Sequence, residues 1–149
     1  MGMVVIVLFV VMLDGAIKYY MDTREEQFSW KRKCCTIRRC RNKGAMNSMG
    51  EDRPDVVRKL SVVVLLGVFV NWLELLFHRG NRLQKMGGSL LLGGSSSNVL
   101  DRLTRHYVVD YIHIDKPWIR KIIFNISDVC IFLGGLLYLL GELFGSKRR

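Results

Sequence analysis

The chain has 149 residues, of which 50% are apolar, and a formal net charge of +10. Its length is that of a single domain. In a soluble protein this charge would suggest a nucleic-acid partner, but here the basic residues flank long apolar runs, where anionic lipid headgroups are the nearer partner. We therefore expect an integral membrane protein that contacts membrane lipids and no nucleic acid.

Four apolar runs are candidates for membrane-spanning helices, since a span needs about 20 mostly apolar residues. We predict spans at about residues 3–22, 58–78, 86–104 and 122–143 of a single domain, 1–149. The third qualifies only if its glycines, serines and asparagine are buried against protein. The first could also be a signal peptide, but it lacks a basic leading region and a small-x-small cleavage site, so we interpret it as a retained span.

The first span carries two charges, Asp14 and Lys18, one helical turn apart. An acid that precedes a base by four residues is the favoured orientation for a helical ion pair. Neither charge would be stable alone at that depth in a bilayer. We interpret them as a structural ion pair that positions this helix against the others; direct participation in a site is the alternative.

Residues 23–57 form the region outside the membrane. Pieces that favour strands alternate there with turn-forming pieces, so we expect short strands and loops. Cys34, Cys35 and Cys40 lie in this region without the C-x2-C spacing or the histidine partner of a zinc site, and we predict no metal there. A disulfide among them is possible if the loop faces an oxidising side. The predicted fold class is an all-α membrane protein with four transmembrane helices and a small β/loop region between helices 1 and 2.

Polar side chains next to hydrocarbon are concentrated between the third and fourth spans. Such groups are costly, and they usually face a protein interior or a water-filled cavity and mark a functional site. Asn98, Asp101 and Arg102 follow each other on adjacent helical turns, so their side chains fall near one face. The sequence therefore predicts a site at this end of the third span.

Two aspartates carry the chemical hypothesis, Asp110 and Asp128. If the last helix enters the bilayer near Phe124, its rise places Asp128 only about 6 Å along the helix, where Asp110 could meet it. Asp115 is the nearest competitor for this pairing. We interpret it as part of a solvated turn, because Lys116 and a proline follow it.

The residues alone leave two explanations open. Two neighbouring carboxylates cannot both ionise easily, so one keeps a proton, and such a pair can activate a water and protonate a scissile carbonyl. The alternative is a structural hydrogen-bond network in a small polytopic membrane protein of another kind, such as a transporter subunit.

Several short motifs occur in order along the chain. They are D-x-x-x-K at Asp14–Lys18, NKGA at Asn42–Ala45, GGSSSN-x-x-DR ending at Arg102, VVDYI around Asp110 and FNISD ending at Asp128. In this combination the chain resembles the lipoprotein signal peptidase (signal peptidase II) family of aspartyl intramembrane proteases. The resemblance covers most of the chain.

This resemblance implies a membrane aspartic endopeptidase that needs no metal and no cofactor. Its substrate would be a diacylglyceryl-modified bacterial prolipoprotein, cut before the lipidated cysteine. The family's catalytic aspartates fall on Asp110 and Asp128. The residues that would bind substrate are Asn42, Asn98, Asp101, Arg102 and Asn125. An inactive relative is the alternative.

Two positions depart from the family pattern. Ser97 and His106 stand where the family usually has glycine, which affects the expected substrate preference more than the chemistry.

The orientation in the membrane is ambiguous from charge alone. Eleven Lys or Arg lie in residues 23–59, against three in the loop after the second span and three in the tail, so the positive-inside rule would place 23–59 in the cytoplasm. The resemblance implies the opposite: both termini in the cytoplasm of a bacterial cell (inner) membrane, and the active site near the outer leaflet.

Overall fold

The computed structural model describes residues 1–24, 29–32, 35–45, 49–116 and 119–145. They are mostly helical. The helices are α1 (Gly2–Thr23), α2 (Pro54–Glu74, continued by a π-helical turn over Leu75–Arg79), α3 (Arg82–Thr104) and α4 (Ile126–Gly145). Three of these are long and apolar enough to cross a membrane, and the stretches that qualify are Gly2–Thr23, Pro54–Phe77 and Ile126–Phe144.

Helix α3 is as long as the other three but is interrupted by glycines, serines and polar residues. It contacts α1, α2 and α4, and its glycines, serines and polar residues supply most of its buried positions. A capping box fixes its first turn: the side chains of Asn81 and Gln84 each accept a hydrogen bond from the backbone N–H of the other residue. The polar composition of α3 is therefore explained by protein neighbours on several sides, which replace lipid as its surroundings.

Glycines bring α3 and α4 to backbone contact. A Cβ on Gly134 would lie 2.7 Å from the carbonyl oxygen of Gly87, and a Cβ on Gly94 would lie 2.5 Å from that of Ser127. Real side chains do not tolerate such distances. The two helices therefore cross at a separation that only glycine permits.

The four strands form one antiparallel sheet in the order β1 (Ser29–Arg32), β2 (Cys35–Asn42), β3 (Val108–Lys116) and β4 (Ile119–Phe124). Two strands come from the α1–α2 connection and two from the α3–α4 connection. The prediction of an all-α protein with β structure only between helices 1 and 2 was thus incomplete. The residues after His106 are rich in valine, isoleucine and tyrosine, which favour strands, and they form β3 by pairing with β2 across some 70 residues of chain.

The strands also change two local expectations. Asp115 lies within β3 and not in a turn, and α4 begins at Ile126 instead of residue 122 because β4 occupies the preceding residues. The sheet packs on the end of α1, where Val109 and Tyr111 contact Met21 in a buried apolar cluster. This contact places the middle of β3, including its polar residues, beside the helix ends.

Adjacent glycines of α4 provide a test of the α3–α4 crossing. Gly134→Ala forces a methyl group onto backbone atoms, whereas a Cβ on Gly135 meets open space. We expect Gly134→Ala to lower the free energy of unfolding by about 1–3 kcal/mol, and Gly135→Ala to be neutral or slightly stabilising because alanine favours helix. Thermal unfolding in detergent measures both. Equal stability of the two variants would contradict the close crossing.

Candidate active site

Lys18 is fully buried and is surrounded by acceptors. Its Nζ lies 2.7 Å from Asp14 Oδ2 on the same helix and 3.2 Å from Asp101 Oδ2 on α3. It also donates to Asn98 Oδ1 at 2.7 Å and to Ser97 Oγ at 3.2 Å. A buried ammonium needs this degree of compensation because it has lost its water.

Asp14 joins four elements. Its Oδ1 accepts a hydrogen bond from Tyr111 on β3 at 2.9 Å, and its Oδ2 accepts from Ser97 on α3 at 2.7 Å and from Ser127 on α4. The Tyr111 hydroxyl in turn accepts from the backbone N–H of Ile126 at 3.1 Å. The pair of Asp14 and Lys18 therefore lies where α1, α3, α4 and the sheet converge.

Asp110 lies on β3 with 3% of its surface exposed. Asn42 Nδ2 donates to its Oδ2 at 3.0 Å, and Asn125 Nδ2 donates to its Oδ1 at 2.8 Å. Asn42 ends β2 and is itself held by the following turn, since its side chain donates to Ala45 O and accepts from Gly44 N–H. The turn formed by the NKGA motif thus aims an amide at Asp110.

Asp128 lies in the first turn of α4 and is held by two donors. Asn98 Nδ2 donates to its Oδ1 at 2.8 Å, and the backbone N–H of Asn125 donates to its Oδ2 at 3.2 Å. Asn125 Oδ1 accepts from Asp128 N–H at 2.9 Å in return, so the two residues cap the helix reciprocally. Asn125 therefore holds Asp128 with its backbone and Asp110 with its side-chain amide.

Burial raises the pKa of Asp110 to about 6, against the hydrogen bond from Asn42, and the nearby charge of Asp128 adds to the increase. Asp110 lies on a strand, outside the helical spans. Each of its oxygens accepts one amide hydrogen, which leaves further lone pairs for a water or a substrate group. The carboxyl can therefore hold or release a proton near neutral pH.

Arg102 and Asp101 are neighbours on α3 and point to different surroundings. Arg102 donates to Gly44 O at 2.9 Å and to Asn98 O at 3.3 Å, and its buried Nε has no partner among the described residues. Asp101 contacts Lys18 and accepts from Val109 N–H at 3.3 Å. The predicted site residues thus divide. Five of them form one hydrogen-bonded group, namely Asn42, Asn98, Asp110, Asn125 and Asp128. Arg102 lies at the edge of this group, and Asp101 contacts Lys18 instead.

A cavity of about 300 Å³ lies between α2 and α3, beside this group. Its walls are mostly apolar and include Leu60 and Val64 of α2, while Asn98 and Arg102 supply polar groups. Asn98 links the cavity to Asp128 because its Nδ2 donates to that carboxylate. The described residues include no group of three or more His, Cys, Asp or Glu placed to hold a metal ion.

Three further residues of the network were not assigned to it from the sequence. Ser97 was noted only as a departure from glycine, yet its hydroxyl bridges Lys18 and Asp14. Tyr111 lies inside the VVDYI motif and Ser127 inside the FNISD motif, and both donate hydrogen bonds to Asp14. Their position within these motifs was the only signal in the sequence.

In this helical membrane protein the buried Asp110 and the half-buried Asp128 both accept hydrogen bonds from Asn125, and a pair of carboxyl groups is what aspartic proteases use. A family profile described as "Signal peptidase (SPase) II" matches residues 6–144. The chain belongs to the signal peptidase II family. By class it is accordingly a member of a family of aspartic peptidases of bacterial membranes.

Individual relatives agree with this membership. The lipoprotein signal peptidase of Streptococcus pneumoniae is 28% identical over 142 residues, which cover 93% of this chain and 90% of the relative. That of Mesorhizobium japonicum is 33% identical over 87 residues, 58% of this chain and about half (52%) of the relative. A solved structure described as a bacterial membrane enzyme superposes with a TM-score of 0.84 at 23% identity, over 99% of this chain and 92% of the other, which supports the fold.

The buried ion pair predicts unequal effects of removing its members. Lys18→Ala leaves the buried Asp14 without a cation and leaves Asp101 with only Arg105, at 3.8 Å, whereas Asp14→Ala leaves Lys18 with one acid. We expect each single variant to lose about 3–5 kcal/mol of stability, Lys18→Ala the more, and the double variant to recover part of the loss. The folded fraction in detergent measures this. Folded but inactive single variants would instead place the pair in the active site.

Proposed function

We propose that Asp110 and Asp128 are the catalytic dyad with which this chain cleaves diacylglyceryl-modified prolipoproteins before the lipidated cysteine. The observation that carries this proposal is the bonding of Asn125 to both carboxylates, through its side-chain amide at 2.8 Å and its backbone N–H at 3.2 Å. Both acids are thereby oriented by neutral donors, which leave the proton free to be on either acid.

The two carboxyls divide the proton transfers of hydrolysis. The ionised one takes a proton from a water, whose oxygen attacks the scissile carbonyl carbon, while the protonated one donates to the carbonyl oxygen. The C–N bond then breaks, and the peptide nitrogen leaves as an amine with the proton returned by the dyad. The raised pKa of Asp110 suits a group that must keep a proton at the start of such a cycle.

The remaining polar residues position the reactants. Asn42, Asn98 and Asn125 orient the carboxyls, and Arg102 supplies the buried Nε that has no acceptor among the described residues. An extended peptide whose carbonyls have left water needs such donors. The apolar walls of the neighbouring cavity suit the acyl chains or the signal-peptide side chains of the substrate. Asp101 supports Lys18 and, through Val109, the strand that carries Asp110.

Helix α3 is the fourth span in this proposal. With four crossings both termini lie on one side of the membrane, and the α1–α2 and α3–α4 connections lie together on the other. The pairing of β2 with β3 across these two connections supports that arrangement, since their strands could not form one sheet on opposite sides. We assign the termini to the cytoplasm and the dyad to the outer leaflet.

The dyad predicts that each acid is indispensable. Asp110→Asn and Asp128→Asn should each lower the cleavage rate by at least about 10³-fold while the protein stays folded, because each acid has its own proton transfer. The assay is release of signal peptide from a diacylglyceryl-prolipoprotein by the purified enzyme. Asp115→Asn, on the same strand, is the control and should keep most of the activity. A dead Asp115→Asn beside a live Asp110→Asn would reassign the pair.

The raised pKa of Asp110 predicts the pH profile. A dyad works with one proton, so the rate should fall as the pH rises through the value at which that proton leaves. Since the pKa of Asp110 is about 6, we expect the alkaline decline to have its midpoint at about 6 or above, not near 3.8. The measurement is the cleavage rate against pH in Asp115→Asn and the unsubstituted enzyme, which should coincide. A rate that stays constant well above this range would contradict a proton-sharing dyad.

A further inference from the structure

A second cavity, distinct from the one beside Asn98, lies at the first turns of α2. It has a volume of about 300 Å³ and is lined by Lys43, Pro54, Asp55, Arg58, Arg102 and His106. Three of these residues are permanent or near-permanent cations and one is an acid. The acid pairs with Arg58 at 2.8 Å, and no described acidic side chain forms an ion pair with Lys43. The cavity therefore presents an excess of positive charge and suits an anion.

His106 presents a further donor in this cavity. Arg58 Nη1 lies 3.0 Å from His106 Nδ1. A guanidinium can only donate, so Nδ1 accepts and the ring carries its proton on Nε2, which is then available as a donor. His106 also has a φ of +66°, a left-handed conformation that costs a non-glycine residue energy. Strained residues of this kind are concentrated at binding sites, where the side chain has a task.

The cavity lies at the depth of lipid headgroups. Arg58 precedes Leu60 by two residues, about 3 Å along the helix. From Leu60 onward α2 is exposed and apolar: Leu60 is 60% exposed, Val63 63% and Val64 54%. A phospholipid whose acyl chains lie on this apolar surface would bring its phosphate to the height of Arg58. A free inorganic anion has no acyl chains and would not contact this apolar surface.

We propose that this cavity binds the phosphate of an anionic phospholipid, with Lys43, Arg58 and His106 as donors and Arg102 at its inner wall. Arg102 also lines the cavity beside Asn98, so the lipid would lie next to the substrate without occupying its position. The inference requires only that α2 is in a bilayer, and it does not depend on the assignment of the dyad.

The test uses purified full-length protein in detergent, titrated with dioleoylphosphatidylglycerol, dioleoylphosphatidylcholine or inorganic phosphate, with bound lipid counted by native mass spectrometry. We expect phosphatidylglycerol to bind more tightly than phosphatidylcholine. The double variant Lys43→Gln/Arg58→Gln should weaken phosphatidylglycerol by about tenfold or more. The matched control is Arg53→Gln/Lys59→Gln, which removes the same number of positive charges at the start of α2 but outside the cavity. It should bind like the unsubstituted protein.

The variant His106→Gly distinguishes binding in this cavity from general electrostatic attraction of an anionic lipid to the basic surface. This variant removes no permanent charge and relieves the left-handed strain, so it should keep or raise the thermal midpoint while weakening phosphatidylglycerol. Equal affinity for the two lipids, equal losses in the two double variants, or unchanged affinity in His106→Gly would each overturn the proposal. Displacement of phosphatidylglycerol by millimolar inorganic phosphate would show a free-phosphate site and would overturn the lipid assignment. If Asp110→Asn and Asp128→Asn lose cleavage activity but still bind phosphatidylglycerol, the lipid proposal stands, because the two proposals concern different cavities.

Discussion

The structure depends on the compensation of one buried charge, the ammonium of Lys18. With no exposed surface, this cation has exchanged its hydration for Asp14, Asp101 and the side-chain oxygen of Asn98. The acids are in turn satisfied by groups from α3, α4 and β3, so satisfying one charge brings four elements together. The same network fixes Asn98, whose oxygen accepts from Lys18 and whose amide nitrogen donates to Asp128. The interaction that assembles the helices thus also orients an acid of the proposed dyad.

The two halves of this network differ in a way that matters for chemistry. On one side a cation pairs directly with Asp14 and Asp101. On the other side the proposed dyad receives its hydrogen bonds from neutral amides, those of Asn42, Asn98 and Asn125. An amide orients a carboxyl without supplying the full charge that would strip its proton. Asn98 lies between Lys18 and Asp128, so the cation does not bind the proposed dyad directly. The two carboxyls of the proposed dyad can therefore share a proton.

Much of this arrangement could be predicted from the sequence, and the rest depended on packing. Apolar runs located three helices, and short motifs placed the acids and asparagines at their ends. The sheet was missed in part because β3 reads as a connection until β2, far away in the chain, pairs with it. Asp101 and Arg102 were grouped as substrate-binding, yet neighbouring helical positions point about 100° apart. Which of them faces Lys18 is decided by the rotation of α3, and that rotation is set by glycine contacts with α4.

The packing of α2 explains how a lipid-anchored substrate could reach this site. α2 has only Trp72 buried along its α-helical length, near the end far from the sheet, where Trp72 Nε1 donates to Ser89 Oγ at 2.9 Å. There Gly88 allows a close approach of α3, because a Cβ would lie 3.1 Å from Leu75. Toward its first turns α2 stands apart from α3, and the cavity that contains Asn98 occupies the gap. A helix fixed at one end and separated at the other leaves an apolar opening beside the acids. A substrate whose acyl chains remain in the bilayer requires access of this kind, because moving those chains through water would cost about 0.8 kcal/mol per methylene.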